Sequence, residues 1–600
     1  MNLMLASIAI PFITGLICLL APKRSGLIRE ALTLLTSLFL LLTGIRIFIT
    51  APEPVLLDRF MLLSADILSR LMCLAAGVFG FLLAVYSVYF MRRSQSKSMY
   101  YSAFCWTLGA SFGVILSNHL LLMLFFWGVL ALTLNMLILA GRAHSTESAR
   151  KALIIVGGSD GILLLGIFCI YMLTSTFDMN QITLPLNGLA VFAFICLGIA
   201  AFAKAGAMPL HSWIPDMAST APVPATALMP ASLDKLLGIY LLARMVMNLF
   251  QVSQVFNTVL MIVGSFTIIA AVMRALVQHD LKRLLAYHAV SQVGYMIVGL
   301  ATANPIGMAG ALFHMLNNTV YKTGLFLAGG AVESQTGTSD LDRLGGIGRL
   351  MPWTFVTFLV SAFAISGIPP FNGFVSKWMI YQGLLKSSGD RLWVIWMGIA
   401  MFGSGLTLAS FMKLIHAIFL GRPDPEIEKK AIGDVSFFMI IPMFILSTLC
   451  IGFGLFAQSF PLKILFSAVT HETAGNYAGL WSPGFATVMV MLGLVIGLLI
   501  YGIGRWKTNV RESNTFIGGE YLPAENRISG TSFYETIQSL PGIKLLHEKA
   551  EARKFDIYAQ GSRWVLFITG LFRKAHTGVL TFYLVWALVG LMALLWLLGR

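Results

Sequence analysis

The chain has 600 residues, 58% of them hydrophobic and only 11% charged. Soluble domains carry about 25% charged residues, so a soluble globular enzyme is excluded. Apolar stretches near 20 residues, each long enough for a hydrocarbon core of about 30 Å, recur from end to end. The net charge of +15 would suit a nucleic-acid binder, but its placement along the chain argues against one.

The segment from Met1 to Ala21 has no basic leader and no small-x-small cleavage site before Lys23. It reads as a spanning helix and not as a signal peptide. Sixteen spans follow in order, at about 3–21, 30–50, 67–90, 101–117, 120–141, 152–174, 189–206, 224–248, 254–273, 284–300, 307–332, 352–386, 392–420, 434–456, 484–504 and 579–599. With both termini outside, Arg59, Lys386, Arg391, Lys463 and Arg600 are the outward Lys and Arg residues, and most of the others fall in inward segments. That asymmetry follows the positive-inside rule for a multi-pass prokaryotic inner (plasma) membrane protein. The basicity is topological, the lipid bilayer is the expected partner, and no nucleic acid is expected.

Two spans are interrupted. The span at 189–206 runs into Gly206, Pro209 and Pro215, followed by Pro222 and Pro224, so its helix must end or kink near Lys204. The segment at 352–386 is too long for one straight crossing and carries Gly367-Ile368-Pro369-Pro370 near its middle. Broken helices in the two halves of a transporter-like chain point to an ion site at the bilayer midplane. The polar stretch 505–578 opens with Gly518-Gly519-Glu520. Past Pro541 it continues into an amphipathic run, Ile543 to Arg573, that suits a membrane surface, a partner subunit or a solvated loop.

The six cysteines, Cys18, Cys73, Cys105, Cys169, Cys196 and Cys450, all fall in apolar spans without Cys-x-x-Cys spacing. Iron–sulfur, zinc and disulfide frameworks are therefore not expected. No phosphate loop, haem attachment or flavin fingerprint occurs. No cofactor, metal or redox site is expected in this chain.

Ionisable residues inside a span are costly and mark pathways. They are Asp160, Lys204, Asp234, Lys235, His288, His314, Lys322, Lys377, Lys413 and His416, with Arg46, Arg70 and Arg244. His314, Asn318 and Lys322, at i, i+4 and i+8, share one helix face over about 12 Å. His288, Gln292 and Tyr295 form a second polar stripe. Burial away from water disfavours a lysine's charged form and a nearby carboxylate restores it, so the set suits a proton relay. Arg46 and Lys413 lie near span ends, where long side chains snorkel. Arg70 is expected to pair with Asp66, four residues earlier. His288 and His416 also suit hydrogen-bonded core positions.

Several ordered blocks carry a family resemblance. They are Lys204-Ala205-Gly206-Ala207-Met208-Pro209-Leu210-His211-Ser212-Trp213-Ile214-Pro215-Asp216, Ala221-Pro222-Val223-Pro224-Ala225, Asp280-Leu281-Lys282-Arg283-Leu284-Leu285-Ala286-Tyr287 and Val290-Ser291-Gln292-Val293-Gly294-Tyr295. Leu312-Phe313-His314, Tyr321-Lys322, Gly367-Ile368-Pro369-Pro370, Gly373-Phe374 and Ser376-Lys377 continue the match. From about residue 100 to 420 the chain resembles the antiporter-like family. That family is shared by proton-pumping subunits of respiratory complex I, membrane subunits of formate hydrogenlyase and energy-converting hydrogenases, and large subunits of multisubunit sodium/proton antiporters.

The resemblance implies an all-α polytopic membrane bundle of about 14–16 transmembrane helices, with two inverted five-helix repeats and broken helices 7 and 12. It divides the chain into N-terminal helices (1–100), two repeats (101–250 and 251–420), C-terminal helices (421–504), a cytoplasmic amphipathic segment (505–578) and a final helix (579–600). It implies a proton pathway through Asp160, Lys204, Lys235, His314, Lys322 and Lys377, with Asp234, His288, Asn318, Lys413 and His416 as secondary candidates. It also implies a complex with other membrane subunits and peripheral redox subunits, translocating H+ or Na+; a sodium/proton antiporter subunit or a non-conducting scaffold are the alternatives. The family's helix-5 Trp-Glu reads Phe126-Trp127-Gly128 here, which casts Asp160 as the partner of Lys204. Asn318 stands where a histidine is common, and Met229-Pro230-Ala231 where His-Ala-Ala is common.

Overall fold

A computed structural model describes the chain apart from residues 1, 23–25, 58–59, 142–144, 388–390, 422–426, 428, 471–476, 478–482, 507–529, 535–538, 577 and 600. The loop expected at 518–520 lies outside the described residues. The chain divides into two units, Met1–Ser539 and Leu540–Arg600.

Among the described residues, 14 helices are long and apolar enough to cross a membrane. In the first unit these are α1 (Leu3–Leu20), α2 (Gly26–Thr50), α3 (Ile67–Phe90), α4 (Lys97–Leu116), α5 (Leu120–Leu139), α6 (Ser145–Thr174), α7a (Gly188–Ala205), α8 (Val223–Leu249), α9 (Gln254–Leu276), α10 (Leu281–Ala301), α13 (Trp393–Leu420), α14 (Phe437–Leu455) and α16 (Gly484–Gly504). The polar α11 (Pro305–Thr336) and the interrupted α12, made of α12a (Pro352–Ser366) and α12b (Asn372–Lys386), occupy the other two segments expected to span. A short helix that the sequence did not signal, α15 (Pro461–Thr470), follows α14. The second unit contains α17 (Pro541–Glu551), α18 (Ile557–Ala575) and the spanning α19 (Leu580–Leu598), so the amphipathic run forms two helices.

Both interruptions form as the Gly and Pro residues dictate. Helix α7a ends on Gly206 and α12a on Gly367, with φ of +79° and +80°, left-handed values that suit glycine. A short α7b (Trp213–Thr220) resumes after the first break. Helices α8 and α10 are wholly buried over their spanning windows, which makes them the centre of the bundle. Helix α8 also carries a π-turn at Met229–Leu233, and α6 one at Leu153–Gly157. Such turns occur often at functional sites, and here they immediately precede the regions of Asp234 and Asp160.

One expected pairing is corrected. Asp66 caps α3 through the Ser69 amide at 2.8 Å, and its carboxylate is taken by Arg244 of α8 at 2.5 and 2.6 Å. Arg70 instead donates to the Phe48 carbonyl at 3.4 Å. Spacing of i, i+4 brings two side chains to one helix face, but a fork from another helix makes two charge-assisted bonds to the same carboxylate. Arg244 also donates to Ser69 Oγ at 2.9 Å and Tyr240 Oη at 3.0 Å, which ties α3 to α8. A double-mutant cycle of Asp66→Asn and Arg244→Gln, read by thermal unfolding in detergent, is expected to give a coupling of about 1 kcal/mol, discounted because Asp66 is half exposed. Additive single effects would show that the clip contributes nothing.

Candidate ion-translocation axis

The ionisable residues expected from the sequence converge on the broken helices and their neighbours. Lys204, Lys235, Lys322, Lys377 and Lys413 are each at most 2% exposed, as are Asp234, His288, His314 and Asn318. Asp160 and His416 are half-buried.

Three of these lysines, Lys235, Lys377 and Lys413, share a structural device. Lys235 Nζ donates to the carbonyl of Ala205, the last residue of α7a, at 2.6 Å. Lys377 Nζ donates to Ile365 near the end of α12a at 2.9 Å. Lys413 Nζ donates to Leu276, the last residue of α9, at 2.7 Å and to Gln278 at 3.0 Å. A helix carboxyl end presents unpaired carbonyls and a negative partial charge. Each ammonium is therefore accommodated without a carboxylate in contact. This corrects the expectation that Lys413 snorkels: its head is wholly buried and caps α9. Arg46, by contrast, is exposed. Lys322 donates at 2.9 Å to the Leu285 carbonyl of α10.

The two polar stripes join. His314 contacts Gln292 Oε1 through Nε2 at 3.1 Å and Ser376 Oγ through Nδ1 at 2.9 Å. That contact links α10, α11 and α12b. Lys377 lies over the Tyr295 ring at 4.9 Å. His288 bonds Ser410 Oγ at 2.7 Å and packs on Phe411. Neither amide atom of Asn318 has a protein partner. A buried amide is rarely left unpaired, which sets Asn318 apart from the other side chains of the stripe. His416 opens a π-turn, His416–Leu420, and packs on Phe533 away from these stripes.

In the first half, Lys204 Nζ lies over the Trp127 ring at 4.6 Å and donates to the Trp127 carbonyl at 3.4 Å. It makes no direct ion pair with Asp160, and the two act on each other through the field alone. Asp160 and Asp234 both lie within electrostatic reach of Lys204. Neither oxygen of Asp234 has a hydrogen-bond partner in the protein. Lys322 in turn lies within electrostatic reach of Lys235 and Lys377. The row therefore runs from Asp160 through Lys204, Asp234, Lys235 and Lys322 to Lys377. Charges so placed in a low-dielectric interior act strongly on one another.

Trp127 is the residue that sequence reasoning missed. Gly128 shares a helix stripe with Leu121, Phe125 and Leu132, which are 36%, 61% and 58% exposed, and a Cβ built on it meets nothing within 4 Å. Helix α5 thus presents Trp127, not Gly128, to Lys204. Helix α5 is apolar on every side, so the sequence carried no signal of which face meets Lys204. Ser376 and Ser410 were also missed; serine in a helix carries no marker of its partner. Among the described residues no cluster of three or more His, Cys, Asp or Glu side chains could hold a metal ion.

Residues 117–405 match a family described as NADH:quinone oxidoreductase/Mrp antiporter, transmembrane. The chain is 31% identical over 476 residues to the Na+/H+ antiporter subunit A1 of Staphylococcus aureus, covering 74% of this chain and 59% of that protein. It thus spans somewhat over half the length of the curated relatives it matches. The fold is similar to a chain of the membrane-bound sulfane sulfur reductase, an archaeal respiratory membrane complex, with a TM-score of 0.82, 22% identity and coverage of 99% of this chain and 100% of that one. It is also similar to a chain of the Mrp complex from a Dietzia species, with a TM-score of 0.72, 23% identity and coverage of 78% and 96%. The segment that carries the buried ionisable row, residues 117–405, thus matches the NADH:quinone oxidoreductase/Mrp antiporter transmembrane family, and the chain is a multi-pass membrane protein similar to antiporter subunits.

Proposed function

We propose that this chain is the ion-translocating subunit of a multisubunit membrane complex, in which electron transfer in partner subunits drives H+ or Na+ through the buried row. The observation that carries the reading is the continuity of that row across both broken helices, from Asp160 to Lys377. A purely structural bundle has no use for five buried lysines, because each costs several kcal/mol to place. The likeness in fold to a chain of a respiratory membrane complex over nearly the whole length supports a redox-linked assembly. The relatedness to Na+/H+ antiporter subunits supports a second reading, exchange driven by an ion gradient alone. In either case the chain lies in a prokaryotic plasma membrane with both termini outside and its basic loops inside.

In mechanism, Lys235 and Lys377 hold their protons against helix carboxyl ends, Lys204 and Lys322 against the carbonyls of Trp127 and Leu285, and gain or loss of charge at one site changes the field at the next. Lys235 joins the two halves: it caps α7a and acts electrostatically on Lys322. His314, bonded to both Gln292 and Ser376, connects α11 to α12b beside Lys377.

The test uses the complete complex in proteoliposomes loaded with pH- and Na+-sensitive dyes. Lys204→Ala and Lys235→Ala are each expected to lower translocation by about a hundredfold, a loss of ~2.7 kcal/mol in the rate-limiting barrier, while the complex still assembles. Unchanged rates, or a wild-type complex that moves no ions, would sink the proposal. Transport that needs an electron donor separates the first reading from the second.

A further inference from the structure

Lys282 of α10 and Glu333 of α11 form an ion pair at 3.0 Å, and both are at most 5% exposed. Lys282 also donates to the Ser219 carbonyl at 3.5 Å. The two side chains line a cavity of about 940 Å³ that also takes in Arg92, Arg93 and Ser94, where both arginines are exposed. The cavity therefore runs from a basic loop end of the bundle to a buried carboxylate.

The position of that carboxylate on α11 decides its significance. Glu333 is eleven residues beyond Lys322. Eleven residues at 3.6 per turn return to within about 20° of the same direction and advance about 16 Å. Glu333 therefore extends the face of His314, Asn318 and Lys322. Lys282 lies one turn before Leu285, whose carbonyl receives Lys322. The ion pair thus lies beyond Lys322 at the cavity end of α10 and α11. Tyr86 stands between the two levels: its hydroxyl donates to the Leu327 carbonyl at 2.8 Å and lies within electrostatic reach of Glu333. A buried ion pair is weak evidence of a stability role, because desolvation offsets its attraction.

We propose that the Lys282–Glu333 pair is a gated proton port, opening the second repeat directly to the inward side at Lys322. The inference rests on the translocation reading above. When the pair opens, a Glu333 oxygen takes a proton delivered from the inward solution as hydronium through the cavity, leaving water behind. The carboxyl then releases it through water beside Tyr86 to the Lys322 amine, and the carboxylate re-forms its pair with Lys282. Among the described residues, Arg92, Arg93 and Lys282 are the cations lining the port, and Glu333 is the acid among them.

The experiment uses the complete complex in proteoliposomes, in a Cys169→Ser background, because Cys169 is the one cysteine not fully buried. Glu333→Gln is expected to lower translocation by about tenfold or more. Ser334→Cys, on the exposed rim of the cavity, is expected to translocate normally until a membrane-impermeant maleimide is applied from the inward side, and then to lose most of its rate. The exchanged pair Lys282→Glu/Glu333→Lys controls for folding: it keeps the ion pair but moves the acid to α10, and is expected to assemble and stay slow. Full recovery in the exchanged pair would make the contact a structural clip and overturn the proposal. Wild-type rates in Glu333→Gln and in labelled Ser334→Cys would overturn it too, while dependence on Lys204 and Lys235 left the translocation reading standing. A wild-type complex that moves no ions would overturn both.

Discussion

Asp160→Asn is expected to lower ion translocation by about tenfold or more without loss of assembly, and Trp127→Glu in the same chain is expected to restore most of it. Asparagine preserves the shape of a half-buried side chain and removes only its charge. Lys204 then keeps Asp234 as its one nearby carboxylate. The rescue follows from the geometry of α5. Trp127 is fully buried, with its ring 4.6 Å from the Lys204 ammonium. A desolvated cation–π contact contributes about 2 kcal/mol, so the ring stands in for the carboxylate that the family resemblance implies on helix 5. Glutamate at 127 would restore that carboxylate. Glutamate at 128 would sit on the exposed stripe with Leu121, Phe125 and Leu132, and Asp160→Asn/Gly128→Glu is expected to remain as slow as Asp160→Asn. Removing the indole leaves a cavity that costs about 3–5 kcal/mol in a tight core. Trp127→Gln therefore serves as the control, with the same loss of packing and no charge. Rescue by Gly128→Glu in place of Trp127→Glu would show that α5 turns its other face to Lys204.

The long apolar helices were legible because the cost of placing polar backbone in hydrocarbon forces them, and their length is written directly in the sequence. The two breaks were legible for a similar reason. Gly206 with Pro209, and Gly367 with Pro369 and Pro370, leave the backbone no continuous helix. What could not be read was which group receives each charge. Asp66 had a cation four residues away in Arg70, yet its partner is Arg244 from a helix 178 residues later in sequence. Lys413 sits near the end of α13 and looked free to snorkel, but the carbonyls it satisfies belong to α9. Lys235 and Lys377 likewise bond to backbone carbonyls, which every residue has and no motif reveals. The helix-5 departure was visible as a missing glutamate. That Trp127 faces Lys204 was not, because the rotation of α5 is set by packing. Glu333 was overlooked because it lies at the end of α11, where a carboxylate resembles an ordinary loop charge until the cavity beside it is seen.

Lys377 offers the sharpest separation between holding a helix end and moving an ion. Its ammonium is 2% exposed, donates to Ile365 at 2.9 Å, and lies over Tyr295. Its stem passes Gly367, where an added Cβ would meet Lys377 Cδ at 3.2 Å, so the lysine stem packs directly under the break. Lys377→Met keeps the volume but leaves a buried carbonyl without its donor, a loss of about 1–3 kcal/mol. Lys377→Gln can still donate to that carbonyl but holds no titrating charge. If the residue only caps α12a, methionine lowers thermal stability and glutamine restores both stability and transport. If it passes protons between His314 and the far side of α12b, both variants are equally silent in transport, and only methionine loses stability. The second pattern is expected, with translocation in both reduced by about a hundredfold and a melting temperature for glutamine within a few degrees of wild type. It would place the last proton-holding group of the row at the second break, as Lys204 and Lys235 flank the first. The two interruptions would then be helix ends around which the lysines are arranged, and the sequence would retain Gly206 and Gly367 because only a terminated helix offers those carbonyls.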